Sequence, residues 1–259
     1  MTDHEFTDLR DLLECESARI NSVDFIAEDP VQFPRLFDDK RDIEIMSLLA
    51  STIAWGNRKM ICRNVGRLVS LMEHAPYAYL MDRGYEELDP EANIHRTFFN
   101  RNLQHYLSGL RLIYSTYGSL EDFAASTGVA DDEYPAWRLA KGLNAKIAEA
   151  NGVADSRCLP QNLDVSALKR LNMALRWLVR DDGIVDLGVW KVLTPAQLYI
   201  PYDVHVQNTS RAFGLVERKA VDKRAVAELT GNLRLFDASD PVKYDFALFG
   251  LGIESKNRS

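Results

Sequence analysis

Two residues of the chain, Lys169 and Asp203, have side chains and local contexts that could do chemistry. Asp203 comes two residues after Pro201 and opens a short helical pattern. Its carboxylate could stabilise a developing positive charge or accept a proton. Lys169 lies on a helical pattern with Arg170 and Arg176, and neighbouring cations favour the neutral amine, which is the nucleophilic form. Two plainer interpretations stay open, namely an aspartate that only caps a helix and a lysine that is only solvated.

The elements that must position these residues are helices. Apolar residues recur three and four residues apart along most of the chain, and strand-like alternation is limited to residues 198–206. The patterns predict helices over residues 42–55, 58–72, 102–117, 134–151, 165–180, 203–214 and 240–253, with a loop over 152–164. The sequence therefore predicts an all-α protein.

The charge of the chain is unevenly distributed. The formal net charge of the 259 residues is −7, but residues 1–40 hold 11 acids and 4 bases, so the rest of the chain holds 27 of each. This composition gives no support for a polyanionic partner. A neutral body can still present a local positive stripe, for which the pattern at 58–67 offers Arg58, Lys59, Arg63 and Arg67. A solvated helix face explains the same four residues.

The cysteines and the N-terminus exclude several classes of protein. Cys15, Cys62 and Cys158 show no C-x-x-C spacing, which argues against a disulfide framework, a cysteine metal site or an iron–sulfur cluster. No other metal or cofactor is predicted either. The N-terminus carries acids where a targeting peptide carries bases, and no window reaches about 18 apolar residues. We therefore expect a cytoplasmic protein that does not contact a membrane, and its oligomeric state stays open.

The segment IPYDVHVQNTSRAFGL, residues 200–215, resembles one found in helix-hairpin-helix DNA glycosylases. In that superfamily a proline-containing turn delivers an aspartate to the N-terminus of a helix. The Asp203-Val204-His205 tripeptide is most similar to the 8-oxoguanine glycosylase branch. Three further blocks resemble the superfamily in the same order, namely IMSLLASTIAWGNR (45–58), KRLN (169–172) and FALFGLGI (246–253). The spacing of 34 residues between Lys169 and Asp203 resembles that of the archaeal 8-oxoguanine glycosylases.

The chain also departs from the pattern of the superfamily. The hairpin should read like L-P-G-V-G, whose glycine amides donate to a DNA phosphate, but LPQNLD at 159–164 contains no glycine. The four cysteines that hold an iron–sulfur cluster in many relatives are missing. The WGNR and LNMALRW blocks also look like those of a bacterial family of conserved proteins without assigned function.

The resemblance implies a two-lobed fold with a cleft between the lobes. Residues 42–200 would form a central helical lobe, and residues 1–41 together with 201–259 would form the second. The aspartate would start the first helix of the second lobe and would face the cleft.

The resemblance also implies a role for each site residue. Lys169 would attack C1′ of a damaged nucleotide, form a Schiff base and permit strand cleavage, while Asp203 would stabilise the sugar cation. Asn57 and Arg58 would fill the gap left by the flipped base, and His205 and Arg170 would hold the DNA. The implied function is a DNA glycosylase/lyase for an oxidised purine. Two alternatives stay open, a nucleic-acid- or nucleotide-binding protein without catalysis on the same fold, and an unrelated helical scaffold.

Overall fold

A computed structural model describes residues 2–258, with the side chains of residues 2–255. The helices are α1 (Asp3–Ile20), α2 (Val23–Glu28), α3 (Lys40–Thr52), α4 (Arg58–Leu71), α5 (Pro76–Met81), α6 (Asn100–Tyr117), α7 (Leu120–Ser126), α8 (Pro135–Asn151), α9 (Lys169–Val179), α10 (Val204–Ala212), α11 (Lys223–Phe236) and α12 (Tyr244–Arg258). Short 3₁₀ turns cover Pro30–Gln32, Pro34–Leu36, Gly84–Glu87, Val129–Asp131, Pro195–Gln197 and Pro241–Lys243. The predicted all-α class is confirmed. Within the described residues, no helix combines the length and the apolar content that a bilayer crossing requires.

Helix α3 is the centre of the larger group of helices. Every residue from 43 to 52 is buried, as expected of a helix that is apolar nearly all round. Asp39 caps its start, with Oδ1 accepting the Arg41 N–H at 2.8 Å. The helix packs against α9, α5 and the Pro34–Leu36 turn. Its C-terminal end therefore lies beside the N-terminus of α9, where Lys169 and Arg170 are found.

A buried carboxylate on α3 fixes this helix to its surroundings. The Glu44 side chain is fully buried and accepts hydrogen bonds from Tyr114 Oη (2.9 Å), Trp190 Nε1 (2.8 Å) and the Leu120 and Glu121 amides (3.0 and 3.1 Å). Burial raises the pKa of this carboxyl, and the donors oppose the rise. One side chain thus ties α3 to α6, to the start of α7 and to the loop at Trp190.

Helices from both ends of the chain form a second group. Helix α12 packs on α1 and on α10, and α11 contacts the Pro241–Lys243 turn. Two glycines of α12 permit this approach, because a Cβ at Gly250 would lie 2.0 Å from Ile20 Cδ1 and one at Gly252 would lie 2.8 Å from Thr209 Oγ1. The turns at residues 30–36 pack instead on α3. The predicted division into residues 42–200 and residues 1–41 with 201–259 stays a prediction.

Several elements differ from the sequence prediction. Residues 198–206 form no strand, and the two short strands are β1 (Asn93–His95) and β2 (Phe98–Phe99), which pair antiparallel. Helix α9 begins at Lys169 rather than at residue 165, because Leu168 adopts a left-handed backbone with φ of 45°. Helix α12 begins at Tyr244, after a 3₁₀ turn at the predicted start. The glycine-free segment 159–164 lies in the non-helical link between α8 and α9.

Candidate active site

One groove of about 740 Å³ collects most of the predicted site residues. Its walls are the 54–58 turn that joins α3 to α4, the first turn of α9, the start of α10 and one side of α12. Five of the six predicted residues line it, namely Asn57, Arg58, Lys169, Asp203 and His205. Segments far apart in the chain therefore present these five side chains to the same space.

Asp203 caps helix α10 and lines the groove at the same time. Its Oδ1 accepts the His205 and Val206 amides at 2.8 and 2.9 Å, as an N-cap aspartate does. Its Oδ2 makes no hydrogen bond to any residue that the structure describes. The capping interpretation is thus correct for one oxygen, and the other oxygen remains available to a substrate.

Lys169 is the first residue of α9 and is half-buried. Its Nζ donates to the Ala54 carbonyl oxygen at 3.3 Å, just beyond the C-terminal end of α3, where cations interact favourably with the free carbonyls. No ion pair joins Lys169 to Asp203 among the described side chains, so both groups face the groove without neutralising each other in direct contact.

A buried aspartate in the groove wall was missed by the sequence analysis. Asp245, in α12, accepts a hydrogen bond from Arg176 Nη1, and Arg176 Nε donates to Asp186 Oδ1 at 3.2 Å. The pKa of Asp245 is raised to about 7, chiefly by burial and also by Asp203 and Asp186, while Arg176 and Lys169 oppose the rise. The signal that could have found it is an acid in the otherwise apolar start of the last helix.

The same contacts change the expected role of Arg176. The sequence suggested a free cation beside Lys169, whereas this guanidinium is buried and paired with two carboxylates. Burial also raises the pKa of Asp186 to about 6, and Arg176 and Arg180 oppose the rise. Arg176 therefore acts as the internal counter-charge of this wall of the groove.

The two residues predicted to enter the DNA are held differently. Asn57 is exposed and caps α4, with Oδ1 accepting the Met60 amide at 3.1 Å. Arg58 pairs with Asp29 at 3.1 Å and lies over the Phe25 and Phe249 rings, at 5.4 and 5.1 Å from their centroids. Arg58 is thus part of the groove wall, and Asn57 is the freer of the two.

Trp55 begins the turn and is positioned by the β1–β2 hairpin. The buried His95 donates from Nε2 to the Trp55 carbonyl oxygen at 2.8 Å and accepts from Asn64 Nδ2 at Nδ1, at 2.9 Å. The His95 and Trp55 rings meet edge to face at 4.8 Å. Gly56, which follows, has a φ of 97°, so the turn requires glycine there.

His205 lines the groove mainly as a packing residue. Its ring meets the Phe249 ring edge to face at 5.6 Å, and its amide donates to Asp203. These contacts tie the first turn of α10 to α12. The predicted phosphate contact of His205 stays a prediction.

Arg170 is the one predicted residue that does not line the groove. It points into a second cavity of about 290 Å³, here called the chamber, which shares Ala54, Trp55 and Lys169 with the groove. Arg170 Nη1 donates to the Thr52 carbonyl oxygen at 2.5 Å, and the guanidinium lies 5.2 Å from the centroid of the Trp55 ring. Its predicted contact with DNA would have to be made through this chamber.

The described residues contain no group of three or more His, Cys, Asp or Glu side chains arranged to hold a metal ion.

Comparison with known proteins gives a family and no activity. A family model described as "Protein of unknown function (DUF2400)" matches residues 29–254, which fits the predicted resemblance to a family without assigned function. Searches of curated proteins and of solved structures found no match. Because the match covers most of the chain, this protein belongs to the DUF2400 family.

Proposed function

We propose that this protein is a DNA glycosylase with lyase activity that removes a damaged base, an oxidised purine by the resemblance of its sequence, and that it acts in the cytoplasm. The observation that carries the proposal is the meeting of Lys169 and Asp203 in one groove, without an ion pair between them. An amine and a carboxylate with a free oxygen are the two groups that base removal by covalent catalysis requires.

The chemistry begins with base removal. Lys169 Nζ forms a bond to C1′ of the sugar while the N-glycosidic bond breaks, and the bonding electron pair leaves with the base. Asp203 Oδ2 stabilises the positive charge on the sugar and accepts the proton that Lys169 loses. The C1′–O4′ bond then breaks, O4′ takes the proton from Asp203, and a protonated Schiff base forms. Asp203 next accepts a C2′ proton, and the 3′ phosphate leaves with the electron pair of its bond to C3′, which cleaves the strand.

Asp245 supplies the proton for the departing base in this proposal. It lines the groove, and its pKa of about 7 leaves a large protonated fraction at neutral pH. Asp203 is the partner of the α10 amides and of the sugar cation. Two carboxylates in different surroundings thus take different roles.

A basic surface beside the groove favours a nucleic-acid substrate. Lys59, Arg63 and Arg67 recur at intervals of four residues on one exposed face of α4, and Arg96 is exposed on the hairpin beside Gly56. None of these four cations forms an ion pair within the described part of the chain. Cations free of internal partners can bind phosphates and release counterions, which offsets the overall acidity of the chain.

The proposal is tested by trapping the covalent intermediate. Borohydride should reduce the Schiff base and link the wild-type protein to duplex DNA that contains an abasic site, which bypasses the need to identify the lesion. Lys169→Gln should abolish trapping, and Lys141→Gln, an exposed lysine on α8, should leave it unchanged. Trapping that survives Lys169→Gln would show that another lysine is the nucleophile.

The binding protein without catalysis remains the second candidate. It is favoured by the hydrogen bond from Lys169 to Ala54, which gives this lysine a structural role without any reaction. Asp203→Asn separates the two, because asparagine also caps a helix and should preserve the fold and DNA binding. Loss of turnover with intact binding supports catalysis. Binding without trapping on any substrate supports the alternative.

A further inference from the structure

The chamber differs from the groove in its charges. Its walls contain Lys169 and Arg170 but no aspartate or glutamate. No carboxylate is among the groups that act on the Arg170 guanidinium, whose pKa is lowered chiefly by burial. Asp155, which acts on the neighbouring Cys158, accepts instead from Asn102 and His105. A cation that is removed from water without an anionic partner is costly, and a bound anion would offset this cost.

The start of α9 adds to the positive charge of the chamber wall. Residues 168–171 line the chamber, and no side chain caps this helix. The amides of residues 169–171 have no acceptor among the described residues. An uncapped helix N-terminus carries a partial positive charge of about one half and attracts anions. The carbonyls at the end of α3 oppose it with a partial negative charge of similar size, so the full charge of Arg170, on which no carboxylate acts, remains.

Two buried hydroxyl groups also line the chamber. Tyr106 and Tyr202 are 0% and 1% exposed, and among the described residues neither hydroxyl makes a hydrogen bond of good geometry. Burial raises the pKa of Tyr106, so its hydroxyl keeps its proton and can donate. Tyr106 interacts with the Thr52 side chain and Tyr202 with the Ser210 side chain, and neither tyrosine has a carboxylate acceptor, so the Tyr106 hydroxyl can donate to an oxyanion bound in the chamber.

We propose that the chamber binds a small oxyanion, a phosphate or carboxylate group, on a compact apolar body. Arg170 and the Tyr106 hydroxyl bind the oxyanion, and Trp55 and the leucines at 48, 159, 168 and 171 pack against the apolar part. The volume of about 290 Å³ is at the lower limit of small-molecule sites, which favours a free molecule over a nucleic-acid strand. The site does not depend on the proposed glycosylase activity, although its ligand would lie beside Lys169.

The test measures thermal stabilisation of the full chain by four probes, namely inorganic phosphate, phenyl phosphate, phenol and duplex DNA with an abasic site. Phenyl phosphate at ten times its dissociation constant should raise Tm by about 3–5 °C, and inorganic phosphate should bind more weakly. Phenol, which has the apolar body without the charge, should have no effect. Stabilisation by phenol equal to that by phenyl phosphate, or by DNA alone, would overturn the proposal.

Matched variants locate the site. Arg170→Met keeps the apolar stem and should weaken phenyl phosphate binding about 10- to 100-fold, as expected for a charge-assisted hydrogen bond. Tyr106→Phe removes only a hydroxyl group and should weaken phenyl phosphate binding about 3- to 10-fold, so this variant still tests the site if Arg170→Met does not fold. Arg138→Met removes an exposed arginine that donates to the Thr127 carbonyl, and it should leave binding unchanged. Equal binding by wild type, Arg170→Met and Tyr106→Phe would place the anion elsewhere and refute the proposal.

Discussion

The groove and the chamber share Lys169 and Trp55, but the arginine in the wall of each has different partners. Arg176, in the groove wall, is buried between Asp186 and Asp245, whereas Arg170, in the chamber wall, donates to the Thr52 carbonyl oxygen and lies over the Trp55 ring. Both arginines belong to α9. The comparison shows that one helix can carry a cation whose charge the protein neutralises and another whose charge is left for a ligand.

The largest expected effect comes from removing the neutralised cation. Arg176→Met should lower the free energy of unfolding by about 3–5 kcal/mol at pH 8, because Asp186 and Asp245 would be left buried without this counter-charge. Urea unfolding measures the change. At pH 5 the loss should be smaller, because both carboxylates can then be protonated.

An exposed arginine provides the control for this variant. Arg19 also pairs with two carboxylates, Glu16 and Glu254, but it lies on the surface. Arg19→Met should therefore cost no more than about 1 kcal/mol. Equal losses of unfolding free energy in Arg176→Met and Arg19→Met would mean that burial does not strengthen the ion pairs of Arg176. The contrast between the groove and the surface would then be wrong.

The second prediction uses pH to test the acids of the groove. The pKa of Asp245 is about 7 in the folded protein, above its ordinary value of 3.8, so the folded state holds a proton that the unfolded state has released. The contribution of Asp245 to stability is complete below pH 4 and is lost as the pH rises to about 7. Asp245→Asn should remove this dependence, and the difference in unfolding free energy between variant and wild type should shift in favour of the variant by about 2–4 kcal/mol between pH 4.5 and pH 8.

Only the slope tests this prediction, because the amide of asparagine also changes the packing and hydrogen bonding beside Arg176, at a cost that does not depend on pH in this range. Chemical unfolding at four or five pH values gives both quantities. A constant difference between Asp245→Asn and wild type would show that Asp245 is ionised throughout. The protonated donor proposed for base removal would then be lost as well.

The sequence predicted those helices whose apolar spacing or capping residue is clear in the local sequence. The apolar circumference of α3 and the capping signal before α10 are local features, and the structure contains both elements. The β1–β2 hairpin was missed because strands of three and two residues are too short to show alternation. The start of α9 was placed too early because the left-handed Leu168 interrupts an apolar pattern that continues across it.

The candidate site could be predicted from sequence only in part. Asp203 stands at a helix start that a local signal marks, Lys169 lies on a helix that the apolar pattern predicts, and both line the groove. Asp245 could be noticed only as an acid in an apolar helix start, and its pairing with Arg176, which is 69 residues away, is encoded by no pattern in the chain. The sequence also could not show that Arg170 and Arg176 have different surroundings, since the acids that would neutralise a cation come from other parts of the fold.

The smallest expected effect comes from removing the cation of the chamber in the absence of ligand. Arg170→Met loses one hydrogen bond to the Thr52 carbonyl and gains by no longer burying an unpaired charge, while its apolar stem can still pack near Trp55. We expect the free energy of unfolding to change by no more than about 1 kcal/mol, equally at pH 5 and at pH 8, because the chamber wall holds no carboxylate that could titrate. Urea unfolding beside Arg176→Met provides the measurement. A loss of 3 kcal/mol or more would mean that the protein already neutralises Arg170, and the two arginines of α9 would then be alike.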